Sequence, residues 1–171
     1  IRNCRFESNT ADAEGGAILL YRSDPVLLNV LAYGNSAFSG GGLYAFRSSP
    51  TILQATVAAN SATEGGAALA AKYAGAPVLV NAIVWGNSSG DGTTVAETGL
   101  ASWVVSHSCV EGGFPGNGNL DADPLFEDLT GGDLHLRETS PCIDAGDSAA
   151  VPVDLPQDLD GEVRVQGSAV D

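Results

Sequence analysis

Residues 25–50 read Pro25-Val26-Leu27-Leu28-Asn29-Val30-Leu31-Ala32-Tyr33-Gly34-Asn35-Ser36-Ala37-Phe38-Ser39-Gly40-Gly41-Gly42-Leu43-Tyr44-Ala45-Phe46-Arg47-Ser48-Ser49-Pro50. Three short runs, rich in apolar and β-branched residues, follow Pro25, Asn29 and the Gly40-Gly41 pair. None has helical spacing or helical length, and each is bounded by Pro, Asn, Gly or Ser. The stretch therefore reads as three strands joined by corners.

The pattern recurs along the chain. Asn9, Asn35, Asn60 and Asn87 share one column, spaced 26, 25 and 27 residues apart. Asn3, Asn29, Gln54 and Asn81 form a second column before them, and Pro25, Pro50 and Pro77 close the repeats. Gly15-Gly16, Gly40-Gly41 and Gly65-Gly66 mark the third corner. A fixed period in this range signals a stacked-repeat architecture. Three strands per turn and no helical period predict an all-β chain, a single right-handed parallel β-helix with coils of about 25 residues. Equivalent strands then lie about 4.8 Å apart. At 171 residues the repeat length predicts roughly six coils in one domain. Regular coils are expected over 1–110, with irregular final coils and an acidic tail over 111–171. The chain opens mid-repeat at Ile1-Arg2-Asn3-Cys4 without a signal-peptide pattern, which suggests a piece of a longer protein.

The Asn columns have a physical task. Stacked amides at Asn9, Asn35, Asn60 and Asn87, and at Asn29 and Asn81, can bond one another and the corner carbonyls. Asn also tolerates the left-handed conformation of a sharp corner. Alternation places Cys4, Phe6, Val30, Ala32, Ala55, Val57, Ala82 and Val84 inside. In the third strand it puts Ile18, Leu20, Leu43, Ala45, Ala68 and Ala70 on one face. Tyr21, Tyr44, Phe46, Leu69 and Ala71 fall on the other. Arg22, Arg47 and Lys72 follow as a basic column.

Net charge is −14, which disfavours nucleic acid and anionic membranes as partners. Residues 1–110 hold 7 acids and 5 bases, against 14 and 2 over 111–171. No apolar run is long enough to span a membrane as a helix. Three cysteines make no disulfide framework. Either Cys109 and Cys142 form one bridge, or all three are buried thiols acting as small apolar residues.

The C-terminal region carries distinctive blocks: Asn119-Leu120-Asp121-Ala122-Asp123-Pro124-Leu125-Phe126, Gly132-Asp133-Leu134-His135-Leu136, Ser140-Pro141-Cys142-Ile143-Asp144-Ala145-Gly146-Asp147 and Asp158-Leu159-Asp160-Gly161-Glu162-Val163-Arg164. These resemble right-handed parallel β-helix repeat proteins of bacterial surfaces, of the choice-of-anchor Q type, with repeats similar to those of polymorphic outer membrane proteins. The resemblance implies secretion, an extracellular or cell-surface location and a surface or matrix role, but no established reaction.

Three candidate sites follow. Tyr21, Tyr44 and Phe46 beside Arg22, Arg47 and Lys72 would suit an anionic surface or matrix glycan, aromatic faces stacking on sugar rings; the alternative is a face covered by another segment. Asn119, Asp121 and Asp123, with Asn117, alternate along the chain, and Asp158 and Asp160 resemble half of an oxygen-ligand calcium loop; the alternative is turn capping. Catalysis has weak candidates only: His107 and His135 lack partner sets, Asp24 stands alone, and Asp144 and Asp147 read as turn caps. The leading functional expectation is a non-enzymatic structural or adhesive module, self-associating end to end through exposed strand edges. The other is a polysaccharide-binding or polysaccharide-cleaving β-helix protein.

Overall fold

The computed structural model describes residues 1–164 and 167–170; Val165, Gln166 and Asp171 lie outside the described residues. The first coil contributes β1 (Arg2–Glu7) and β2 (Ile18–Tyr21). The second holds β3 (Val26–Tyr33), β4 (Ser36–Ala37) and β5 (Leu43–Phe46), and the third β6 (Thr51–Ala58), β7 (Ser61–Ala62) and β8 (Leu69–Gly75). The fourth holds β9 (Val78–Trp85), β10 (Ser88–Ser89) and β11 (Val95–Ala101). A fifth rung begins with β12 (Val104–Ser106) and β13 (Cys109–Val110). Then comes an antiparallel hairpin, β14 (Phe126–Asp128) and β15 (Asp133–Leu136).

Every strand through β13 pairs in parallel with its equivalent one coil away. The sheets run β1-β3-β6-β9-β12 with β13 also on β9, β11-β8-β5-β2, and β10-β7-β4. The result is a β-solenoid of about four turns, not the six that repeat length suggested. The chain leaves the solenoid path after Val110.

The two strands read on either side of Asn29 are one bent strand. Pairing skips Asn29 and Gln54, going from Leu28–Leu53 to Val30–Ala55, and likewise skips Asn81. These residues sit at φ 55°, 59° and 54°. The other column differs from expectation. At Asn9, Asn35, Asn60 and Asn87 the left-handed residue is the preceding one: Ser8, Gly34, Ala59 or Gly86, at φ 55°, 65°, 54° and 66°. This releases the Asn side chains to point inward as a ladder. Asn35 Oδ1 accepts from the backbone N–H (3.0 Å) and Nδ2 (2.9 Å) of Asn9. Asn60 Oδ1 serves Asn35 in the same way, both at 2.9 Å. Asn87 Oδ1 likewise serves Asn60, both at 2.9 Å. The remaining Nδ2 protons go to the carbonyls of Phe6, Ala32 and Val57.

The core is a thin column of Ile18, Leu20, Leu27, Val30, Leu43, Ile52, Val57, Leu69, Leu79 and Val84, with many alanines. The expected inward faces of β3, β6 and β9 hold, but the third strand of coil three is shifted by one residue. Leu69 and Ala71 point inward, aligned with Leu43 and Ala45, whereas Ala70 aligns with outward Tyr44. Val95–Ala101 is β11, paired with β8 along its whole length. At Gly41 the coils approach so closely that a Cβ would lie 2.3 Å from the Ser61 carbonyl oxygen.

Among the described residues, the segment after Val110 makes no further complete coil. Residues 111–123 fold across the far end: Phe114 packs against the core, and Asn119 accepts from Ser108 N–H and donates to the Val105 and Phe114 carbonyls. The rest returns along the outside of the β1-β3-β6-β9 sheet as a strap. Asn81 is bonded to both N–H and C=O of Asp147 (2.8 and 2.9 Å). Arg164 donates to Gln54 and Asn29, and Tyr33 Oη donates to the Leu129 carbonyl (2.9 Å). Ion pairs Arg2–Asp154 and Arg5–Asp160 tie the strap to coil one, both at 2.6 Å. The strap thus covers outward Leu31, which is buried, and its acid-rich sequence meets the bases of coil one.

Candidate functional site

The strongest arrangement lies on the β11-β8-β5-β2 sheet. Leu19, Tyr21, Tyr44 and Phe46 point outward between the core positions Ile18, Leu20, Leu43 and Ala45. Tyr21 and Phe46 sit in register one coil apart and stack, with ring centroids 4.9 Å apart and planes at 12°. Tyr73 continues the row edge-on to Phe46 at 4.9 Å and 65°. Tyr44 does not belong to the accessible surface. It is only 4% exposed, and burial, reinforced by Glu14, raises its phenol above the ordinary value.

The three cations lie against these rings. Arg22 sits 5.4 Å from the Tyr21 centroid, Arg47 5.6 Å from both Phe46 and Tyr73, and Lys72 5.4 Å from Tyr73. The column is not the one read from the repeats. Lys72 aligns with Phe46, and the residue beside Arg47 in coil three is Tyr73. Arg22, Arg47 and Tyr73 share left-handed φ of 50°, 48° and 75°, which swings successive side chains into one cluster. Sequence reasoning missed Tyr73 because the Gly-Gly pairs were aligned one residue out of step.

The rings face one another and the cations, so they form an aromatic ladder rather than open stacking platforms for sugars. Their effect is to hold the cations over the sheet. Of the seven basic residues, Arg2, Arg5 and Arg137 pair with carboxylates, and Arg164 is half-buried and bonded to Gln54 and Asn29. Among the described residues, Arg22, Arg47 and Lys72 take part in no salt bridge. A strongly acidic protein thus concentrates its unpaired positive charge on one strip.

The oxygen-rich loops are organised otherwise. Asp121 accepts from Gly112 N–H, Asp123 from Leu125 N–H, and Asp158 from the N–H groups of Asp160 and Glu162. Asn119 is a corner residue, and Asp160 pairs with Arg5 and His135. Among the described residues, no group of three or more His, Cys, Asp or Glu is arranged to hold a metal ion. Asp147 caps a short 3₁₀ turn, and Asp144 accepts from Ala169 N–H. His107 contacts Asn117. His135 is gripped by Asp133 (2.6 Å) and faces Asp160 (3.3 Å). These contacts, led by the Asp133 hydrogen bond, raise its pKa above the ordinary value and lower that of Asp133.

Between the strap and the sheet lies a cavity of about 200 Å³, lined by Gln54, Thr56, Ile83, His107, Leu134 and Arg164 among others. Gln54 Nε2, His107 Nδ1 and Arg164 Nε are buried without a hydrogen-bond partner. Cys109 and Cys142, both buried, also line this cavity. Cys4 is half-buried on the edge strand β1.

No helix among the described residues is long and apolar enough to cross a membrane. No protein-family model, curated protein or solved structure matches this chain. What the geometry establishes is an architecture, a parallel β-solenoid of about four turns strapped along one sheet.

Proposed function

We propose that this chain is a non-enzymatic extracellular adhesive module that holds an acidic polysaccharide along its Arg22–Arg47–Lys72 strip. The observation that carries this reading is the aromatic ladder holding three unpaired cations on three consecutive coils. Arg22 and Arg47 stand in register on successive coils about 4.8 Å apart, with Lys72 one residue back on the third coil, so the strip offers closely spaced charge to a polymer bearing acid groups. A surface or matrix setting, and membership of the choice-of-anchor Q type, are part of the same proposal. They rest on the C-terminal blocks resembling those proteins. Self-association end to end would then line several strips up along one axis and raise avidity.

The test is retention on immobilised polyuronate, sulfated glycan and neutral glucan at rising salt. The expectation is binding to the acidic polymers only, weakened by salt. Arg47→Ala, which removes the cation shared by two rings, should weaken binding about tenfold. Equal retention of wild type and a variant with Arg22, Arg47 and Lys72 all changed to Ala would sink the proposal. New unsaturated ends on the polymer would replace it with the cleaving alternative.

A further inference from the structure

We propose that Cys109 and Cys142 are a crosslinking site, where a disulfide fastens the strap to the last rung of the solenoid. Cys109 lies in β13, whose pairing with Ile83 and whose bridge to Leu120 fix its backbone. Cys142 arrives from the other side in a tight turn. Its N–H is held by Ser140 Oγ at 3.1 Å, and Ser140 Oγ is itself bonded to the Pro124 carbonyl at 2.6 Å. Five residues on, Asp147 is clamped to Asn81 through both backbone groups. Both side chains line the same cavity, Cys109 Sγ donates to the Ala122 carbonyl at 3.0 Å, and Cys142 comes close enough to act on the Cys109 thiol. Only 3% of Cys109 and 4% of Cys142 is exposed.

The chemistry needs an oxidant carrying its own disulfide, such as oxidised glutathione or a thiol–disulfide oxidoreductase. The Cys109 thiolate attacks one sulfur of that disulfide and expels the other as a thiolate, leaving a mixed disulfide on Cys109. The Cys142 thiolate then attacks Cys109 Sγ, forms the new S–S bond and expels the second thiolate. The two protein thiols lose two electrons and two protons, and the oxidant leaves as two thiols. The Cys142 hydrogen bond lowers the Cys109 thiol to about 7, against the opposing effect of burial. Lifting the strap removes that contact, so either thiolate can make the first attack, and the bonds made and broken are the same with the two cysteines exchanged. Since both sulfurs are shielded, the oxidant reaches them while the strap is lifted. Redocking then drives the second step, and reductants are shut out afterwards.

The experiment uses the full chain with Cys4→Ser, which removes the third thiol, exposed to oxidised glutathione under folding conditions. The expected result is loss of two hydrogens by intact mass and a peptide map joining Cys109 to Cys142. The crosslink closes a 33-residue separation, so melting should rise by roughly 7–15 °C and fall back with reductant. Persistent glutathione adducts without the joined peptide would overturn the proposal. So would a crosslink that leaves melting unchanged or lowers it. As a check that needs no variant, alkylation of the oxidised wild-type chain after denaturation should label Cys4 alone; label on Cys109 or Cys142 refutes the site.

Discussion

Asn60→Ala is the sharpest test of how the solenoid is held together. The Asn60 side chain makes four hydrogen bonds with no exposure to solvent. Truncation leaves the Asn35 N–H, one proton of Asn35 Nδ2 and the Ala32 carbonyl without this partner. Asn87 Oδ1 keeps its bond from the Asn60 N–H. Each buried group left unsatisfied costs about 1–3 kcal/mol. Three such groups, with some relaxation, predict about 3–5 kcal/mol of destabilisation. For a chain of this size that is a drop of roughly 6–20 °C in Tm. Asn9 supplies the internal control. It donates two bonds to Asn35 from the exposed first coil, where water can replace what is lost. Asn9→Ala should therefore cost under about 1 kcal/mol. Urea unfolding followed by far-UV circular dichroism measures both. Equal losses for the two variants, or a loss below about 1 kcal/mol at Asn60, would refute the ladder as a buried network.

Ala59 occupies the left-handed corner that Gly34 and Gly86 fill in neighbouring coils. Ala59→Gly should therefore stabilise the chain by about 0.5–1 kcal/mol, read as a raised urea midpoint, despite the usual entropic cost of glycine. Arg164→Ala removes charged hydrogen bonds to Gln54 and Asn29 beneath the strap. The lifted-strap population should rise about 10–100-fold, seen as faster proteolytic cutting within 111–164 while the coils stay intact. His135 has a raised pKa in the folded chain, chiefly through Asp133. Its contribution is therefore complete below the ordinary value of 6.5 and is lost as pH rises through the higher folded value. Proton NMR of the imidazole should show a midpoint above the ordinary one, and Asp133→Asn should bring it down. An unchanged midpoint in that variant would contradict the pairing.

The solenoid was legible because its causes are local and periodic. Corner amides, prolines and two-residue alternation recur where backbone geometry demands them. Register in coil three was not legible. Pairing offsets grow from 25 at Ser36–Ser61 to 26 at Leu43–Leu69 and 27 at Thr51–Val78. One residue is added on each side of the strand, and a run such as Gly40-Gly41-Gly42 against Gly65-Gly66-Ala67 fits two alignments equally well. Structurally Gly66, at φ 70°, takes the place of Gly40 at 66°. That single step turned Leu69 inward and put Tyr73 where Lys72 had been placed. The strap was invisible for a different reason. Its anchors join residues far apart in sequence, such as Arg2 with Asp154, through side chains that carry no period. Its turn-rich blocks therefore looked like cation loops when their carboxylates cap backbone N–H groups.

The strap also acts as a ruler. Ordinary stacked-repeat chains gain or lose units freely, because each unit touches only its neighbours. Here one segment grips coil four at Asn81, coils three and two at Gln54 and Asn29, and coil one at Arg2 and Arg5. An extra coil inserted between these anchors would shift one set against the other by about 4.8 Å, and no single docking could then satisfy both. The number of turns between Arg2 and Asn81 is fixed by the length of the polypeptide that spans them.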